Sequence, residues 1–146
     1  MNRSTLPALP CACASLRRAS RLLTQQYEEA LRPLGLRASQ FTVLQMLSIV
    51  GEANQGEIAH MLAMDSTTLT RTLGVMTRSG WLARQHGDDR REWQFRLAPA
   101  GQKKLKQALP RWERVQETLR RKLGQTRWDA LQQSTDDVVT AVAVAE

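Results

Sequence analysis

Cysteines and long apolar runs are both scarce in this chain of 146 residues. The two cysteines, Cys11 and Cys13, stand one residue apart. That is too sparse for the disulfide framework of a secreted domain and favours a reducing, cytoplasmic setting. The longest apolar segment, residues 41–50, is interrupted by polar side chains and is much shorter than the roughly 18 apolar residues that a membrane span requires. We therefore expect neither a disulfide-stabilised nor a membrane-spanning protein.

Acidic residues are outnumbered as well, with 14 Asp and Glu against 21 Lys and Arg and a net charge of +7. Such an excess points to a polyanionic partner, and both nucleic acid and an anionic membrane remain open. The length and the 42% apolar content fit one compact domain over residues 1–146.

Apolar residues spaced three and four apart predict two helices in the first third of the chain. Residues 1–10 contain two prolines and no continuous apolar stretch, so we expect a short disordered tail there. The first helix then ends near Arg32, before a proline and a glycine. The second runs from an N-cap at Ser39 to Val50. It has almost no polar face, which predicts a central, enclosed position.

Two shorter helices follow over residues 55–62 and 66–79, and they meet at a tight corner. Asp65 or Ser66 is expected to cap the second of them. The period then drops to two in residues 81–86 and 92–97, which predicts a β-hairpin with a polar turn.

Two longer helices complete the predicted order, one from Pro99 with a bend at Pro110 and one after Gly124. Trp112, Trp128 and the valine-rich end of the last helix are more apolar surface than two terminal helices easily hide, so an intermolecular bundle would bury it. Packing onto the second helix of the same chain is the alternative. No cofactor is expected. The predicted fold class is mostly α with a small β-hairpin wing, which is the outline of a winged helix-turn-helix.

The helix over residues 66–79 has the composition of a DNA-recognition helix. Short hydroxyls and a guanidinium crowd its first turns, where they can reach phosphates and base edges in a major groove; these residues are Ser66, Thr67, Thr68, Thr70 and Arg71. Arg71 is the best base-reading candidate, because a guanidinium can donate two bonds to guanine. Arg78, near the end of the helix, is included in the predicted DNA-binding set. A solvated, well-capped helix of an ordinary small domain is the competing interpretation.

The hairpin turn adds a second basic feature. Asp89, Arg90 and Arg91 stand at its tip, where a guanidinium can enter the negative potential of a narrow minor groove. A charged turn is usually only solvated. Its short, fixed distance from a hydroxyl-rich helix favours DNA binding.

From Leu16 to the C-terminus the sequence resembles the MarR family of transcriptional regulators. The resemblance rests on Leu69-Thr70-Arg71, Ser79-Gly80-Trp81-Leu82, Asp89-Arg90-Arg91 and Leu97-Ala98-Pro99-Ala100-Gly101. It implies a homodimer that grips a palindromic operator, with a winged lobe over residues 39–98 and dimerisation helices over residues 13–36 and 99–146. By position it makes Arg91 the wing arginine and Asp89 the acid that braces the wing by pairing with a nearby arginine. Ala98 departs from the family's usual Thr or Ser cap, which we expect to cost about 1 kcal/mol of helix stability.

A regulator needs an input, and Cys13 is the most distinctive candidate. It opens the first helix near Arg17, where a thiolate is stabilised. The family's organic-hydroperoxide sensors carry a reactive cysteine at the matching place, and Tyr27 stands at the expected separation of fourteen residues. A second tyrosine of those sensors would fall at Ala38, so one hydrogen bond to the thiolate is missing in this chain. Cys13 could instead pack a dimer interface, and Cys11 could either resolve a sulfenic acid on Cys13 or lie in the tail. The other input that the resemblance implies is a small aromatic acid.

Catalysis is not expected, because His60, His86 and the cysteines lie on unrelated elements and no phosphate loop or nucleophile motif is present. The competing function is a basic, amphipathic membrane-surface protein or a structural interaction protein without DNA readout. The lysines and arginines of residues 103–122 would suit the membrane alternative, although Glu113 and Glu117 interrupt them.

Overall fold

Six α-helices and a three-stranded sheet make up the computed structural model, which describes residues 6–143. The helices are α1 Ala12–Leu31, α2 Ala38–Val50, α3 Gln55–Leu62, α4 Ser66–Arg78, α5 Pro99–Leu123 and α6 Gln125–Ala143. The strands are β1 Glu52–Asn54, β2 Leu82–His86 and β3 Trp93–Leu97, and a 3-10 turn, Arg32–Leu34, joins α1 to α2. The predicted fold class, mostly α with a small wing, is confirmed. None of the described helices is both long enough and apolar enough to cross a bilayer.

The sheet contains one strand that the sequence did not predict. Its order is β1-β3-β2, with both neighbours antiparallel to β3. Phe95 pairs with Ala53 on one side and with Arg84 on the other. Because β1 is only three residues long, it is too short to display an alternating pattern. It extends the predicted hairpin on the β3 side.

The start of α2 corrects the predicted N-cap at Ser39. The N-cap position is Arg37, and Ser39 lies inside the first turn. The first free N–H groups are satisfied by side chains of other residues, because the Ala38 N–H donates to Glu28 Oε1 at 2.9 Å and the Arg37 N–H donates to Gln40 Oε1 at 2.9 Å. A carboxylate from α1 therefore does what the serine hydroxyl was expected to do.

The hydrophobic core gathers around α2. Five of its side chains are buried, namely Phe41, Val43, Leu44, Met46 and Leu47. The inner stripe of α4 (Leu69, Leu73 and Met76) packs into the same core. The last residues of α2 are not enclosed as predicted, since Ile49 is 79% exposed and Val50 44%. The helix leaves the core there, just before β1.

The two tryptophans expected to form a dimer surface are mostly covered within the chain. Trp128 is buried, with the guanidinium of Arg120 5.5 Å from its ring centre. Trp112 is half-buried and packs on Phe41 of α2, with 6.1 Å between ring centres. The alternative prediction, packing onto the second helix of the same chain, is therefore correct for Trp112. The large exposed apolar side chains of the terminal helices are aliphatic, namely Leu16, Leu22, Leu123, Val138, Val139 and Val142.

The segment before α1 lies against that helix. Arg18 Nη1 donates to the carbonyl oxygen of Pro7 at 2.9 Å, and Ser15 Oγ donates to that of Leu9 at 3.2 Å. Residues 7–9 are thus held to α1 rather than free of it. The remainder of the expected disordered tail, residues 1–5, lies outside the described residues.

Candidate nucleic-acid interface

The corner between α3 and α4 places α4 with one face in the core and the other outward. Ala63 takes a left-handed conformation at the end of α3, with φ of 49°. Asp65 then caps α4, accepting the Thr68 N–H at 2.8 Å. The hydrogen bonds from Thr68 hold the pKa of Asp65 below its ordinary value. The carboxylate also occupies the helix N-terminus, which without it would be a binding site for an anion.

All five polar residues predicted in the first turns of α4 are exposed: Ser66, Thr67, Thr68, Thr70 and Arg71. Thr70 Oγ1 donates to the carbonyl oxygen of Ser66 at 2.7 Å and accepts from Gln55 Nε2 at 2.6 Å. Gln55 is the first residue of α3, and sequence reasoning missed it. The sequence offered one signal for it, because Gln55 begins the helix that directly precedes the predicted recognition helix.

Arg78 stands apart from this group. It is exposed in the last turn of α4, seven residues and so roughly 10 Å along the helix axis from Arg71. Seven residues are nearly two full turns, so both arginines point to the same side. Arg78 suits a backbone contact at the edge of the surface.

The hairpin turn carries its arginines outward. Arg90 and Arg91 are exposed, and neither forms an ion pair among residues 6–143. Among the described residues Asp89 forms no ion pair with an arginine side chain, although the resemblance implied one. Its Oδ1 accepts the main-chain N–H of Arg91 at 2.9 Å. The acid therefore braces the turn through the backbone, because an acceptor two residues back lies within reach of that N–H.

A stack of three side chains covers the base of the wing. The His86 ring stacks on Trp93 with 3.9 Å between centres, and the Arg84 guanidinium lies 4.5 Å from the Trp93 ring centre. Trp93 is 38% exposed. Next to it, Asn54 Nδ2 donates to Glu92 Oε2 at 3.2 Å, so the wing is joined to the start of α3.

The candidate redox residues lie on α1 or at its N-cap. Cys11 is the N-cap residue, and both cysteines are exposed free thiols. Arg17 Nη2 lies 3.6 Å from Cys13 Sγ, as the sequence suggested. Tyr27 is fourteen residues further along the same helix, roughly 20 Å away. A contact between Tyr27 and Cys13 therefore requires a second protomer.

Tyr27 lines a cavity of about 400 Å³ between α1, α2, α5 and α6. Its ring is half-buried, and burial raises the pKa of the phenol. Phe41 and Trp112 contribute aromatic walls, and Leu131 and Thr135 line the α6 side. The cavity is mostly apolar, with a few hydroxyls.

The basic run of α5 does not form one free cationic face. Lys104 donates to the carbonyl oxygen of Leu34, and Arg111 donates to that of Ala30. Arg120 pairs with Glu117 on its own helix. Several of the charges needed by the membrane alternative are thus engaged inside the protein.

His60 and His86 also lie apart, on α3 and on the wing, and both are exposed. No group of three or more metal-binding side chains occurs in the described part of the chain.

A recognition helix set against the core, an arginine-tipped wing and long terminal helices define a winged helix-turn-helix protein. The sequence model of the MarR family matches residues 36–93. The HTH-type transcriptional regulator YwoH of Bacillus subtilis (strain 168) is 32% identical over 104 residues, which are 71% of this chain and 76% of that protein. The chain belongs to the MarR family.

Solved structures agree with this assignment. The M. tuberculosis transcriptional regulator MosR, in complex with DNA, is 34% identical, with a TM-score of 0.74 over 89% of this chain and 98% of that one. The transcriptional repressor CouR, bound to a 23-mer DNA duplex, shares the fold at 23% identity, with a TM-score of 0.82 over 92% of this chain and 99% of that one.

Proposed function

We propose that this chain is a cytoplasmic, homodimeric repressor of transcription that binds a palindromic operator in double-stranded DNA. One observation carries the proposal. The inner face of α4 is fully buried, so the helix is fixed, while its outer face presents four hydroxyls and Arg71 beside an arginine-tipped wing. The MarR-family proteins bound to DNA support it.

In this proposal α4 enters the major groove, whose width matches a helix with its side chains. Arg71 reads a guanine through two hydrogen bonds. Since Asp65 already caps the helix, phosphates are bound mainly by the hydroxyls and by Arg78. Gln55 holds Thr70 through its amide, and so orients one of those hydroxyls before DNA arrives.

The wing supplies the second set of contacts. Arg90 and Arg91 are exposed and unpaired among the described residues, so they are available for the minor groove at no loss of an internal ion pair. Asp89 fixes the turn from which they project.

In this proposal the terminal helices form the dimer interface. The exposed leucines of α1 and valines of α6 form apolar surface that a second copy would cover. A two-fold dimer presents two recognition helices, so we expect an inverted repeat with half-sites about 10 bp apart or a multiple of it.

Selection of bound fragments from the source genome tests this proposal. We expect recovered duplexes to share one inverted repeat and to bind less tightly as salt rises. Liposome flotation in parallel tests the membrane alternative. No affinity for any duplex at modest ionic strength would refute DNA binding, and flotation with anionic liposomes would favour the alternative.

We further propose that oxidation of Cys13 releases the operator. The thiolate would attack an organic hydroperoxide, giving a sulfenic acid and an alcohol; the Cys11 thiol would then displace water to form a disulfide. The exposure of both thiols and the Arg17 guanidinium beside Cys13 support this step. Cys11 is extended and precedes the helix, whereas Cys13 lies in its first turn, so closure of the disulfide would distort the start of α1.

Hydroperoxide should release DNA from the wild-type protein and not from Cys13→Ser. Cys11→Ser is the matched control, which should still form the sulfenic acid but not the disulfide. Equal release from Cys13→Ser and wild type would contradict redox control.

A small aromatic acid is the second candidate signal. The cavity beside Tyr27 has aromatic walls and a volume of about 400 Å³, which suits one aromatic ring. Salicylate added to the protein–operator complex should then release DNA in Cys13→Ser as well as in wild type. Release that depends on Cys13 would exclude this cavity as its cause.

A further inference from the structure

Lys104 stands on α5 where that helix passes from the winged lobe to the dimerisation helices. Its ammonium donates to the main-chain carbonyl oxygen of Leu34 at 2.9 Å and lies 5.3 Å from the ring centre of Trp81. Leu34 belongs to the 3-10 turn between α1 and α2, and Trp81 directly precedes β2. A single half-buried charge thus contacts both sides of the joint between the two parts, Leu34 on the side of the dimerisation helices and Trp81 on the side of the winged lobe.

Trp81 is in turn fixed to the recognition helix. Its N–H donates to the carbonyl oxygen of Met76, near the end of α4, at 3.0 Å. Its own carbonyl oxygen accepts the Ala98 N–H at 3.0 Å, at the start of α5. A contact that holds Trp81 against Leu34 therefore also holds α4 against α1.

The Lys104 contacts are of the stronger kinds. A hydrogen bond from a charged donor exceeds a neutral one, and an ammonium near an indole ring adds an electrostatic attraction. Both are formed by a part-buried side chain, where solvent screens them less. We infer that Lys104 is a positioning residue that sets the angle of the winged lobe on the dimerisation helices, and hence the distance between the two recognition helices of the dimer. The inference rests on the proposed function.

This role predicts a difference between half-site and full-operator binding. One lobe on one half-site uses α4 and the wing, neither of which carries Lys104. Two lobes on one duplex must also stand at the right distance. Removal of Lys104 should therefore weaken simultaneous binding and leave single-lobe binding intact.

The test compares Lys104→Met with wild type on two duplexes, the selected operator and the same duplex with one half-site scrambled. We expect about a tenfold loss on the full operator, the usual size of coupling between sites, and no change on the half-site. Lys104→Arg, which keeps the charge, should restore binding. Lys103→Met is the matched control, since Lys103 is an exposed neighbour that forms no hydrogen bond or ion pair with the described residues. Any change in affinity that Lys103→Met causes should be the same for both duplexes.

Equal losses for Lys104→Met on both duplexes, or no loss on either, would overturn the inference. If that variant does not fold, Lys104→Gln decides by the same comparison, because it keeps a donor for Leu34 and loses the charge near Trp81. Failure of the wild-type protein to bind either duplex would refute the proposed function itself. Wild-type binding to both without a difference in the variant would refute only the role of Lys104.

Discussion

Gly101 should be the least replaceable glycine of the chain, because α5 packs directly on the backbone of Trp81. A Cβ at Gly101 would overlap the Trp81 carbonyl oxygen and would lie 2.9 Å from its carbonyl carbon and 3.2 Å from its Cα. Backbone atoms cannot rotate away, so α5 or the start of β2 must shift. The Ala98 N–H bond to the same oxygen would be strained by that shift.

The magnitude of the Gly101→Ala effect follows from three contributions. Overpacking costs about 1–3 kcal/mol, and the loss of one hydrogen bond adds about 1 kcal/mol. The better helix propensity of alanine offsets about 1 kcal/mol. Because the overlap is with backbone, we expect a net loss near the upper end, about 2–3 kcal/mol, or roughly 5–10 °C in Tm for a chain of this size.

Gly74→Ala is the matched control within α4. There the nearest atom to a new Cβ is the flexible end of Arg78, Nη1 at 3.3 Å, so the substitution should stabilise by up to about 1 kcal/mol. Urea unfolding of wild type and both variants, at one protein concentration because a dimer's stability depends on it, measures the difference. A Gly101→Ala protein as stable as wild type would refute the packing of α5 on Trp81.

Three further predictions concern the candidate DNA surface. Arg91→Ala should weaken binding to all duplexes and reduce the slope of log affinity against log salt by roughly 0.9 per lost phosphate contact; an unchanged slope would contradict the wing contact. Arg71→Ala should instead remove about 1–3 kcal/mol of discrimination at one base pair in a competition assay with single-base operator variants, and a sequence-independent loss would contradict base reading. Asp65 has a lower pKa in the folded protein than its ordinary value. Its charged side chain therefore stabilises the fold when the pH is above the ordinary pKa, and this stabilisation is lost as the pH falls through the lowered pKa. The stability gap between wild type and Asp65→Asn should therefore narrow below about pH 4 in acid unfolding followed by circular dichroism, and a constant gap would contradict the cap.

Local patterns were sufficient for α3, α4 and the hairpin of the winged lobe. The bounds of α3 are as predicted, and those of α4 and both hairpin strands are within one residue, because hydrophobic period, a capping aspartate and a polar turn act over a few residues. The exposure of the hydroxyls and arginines followed from the same periodicity.

Several of the errors share one physical cause, a partner on another helix or strand. The N-cap at Ser39 was wrong because a carboxylate from α1 bonds to the start of α2. The prediction that Trp128 lies on a dimer surface was wrong because its side chain is buried within the chain, beside the guanidinium of Arg120 on α5. β1 exists because it pairs with β3, more than 40 residues later in the chain by its register of Glu52 with Arg96. Hydrophobic period carries no information about such pairings.

The contacts that the sequence revealed least are also those that join the lobe to the terminal helices. Glu28 accepts a hydrogen bond from the start of α2, and Lys104 contacts both Leu34 and Trp81 across this joint. Bonds of this kind contribute about 1–3 kcal/mol each, enough for a few of them to favour one lobe orientation. A ligand shifts such an equilibrium when its affinities for the two orientations differ by about 5–150-fold. The joint is therefore the least predictable part of the fold, and the free energy of its contacts is of the size by which the proposed signals would have to shift the lobe.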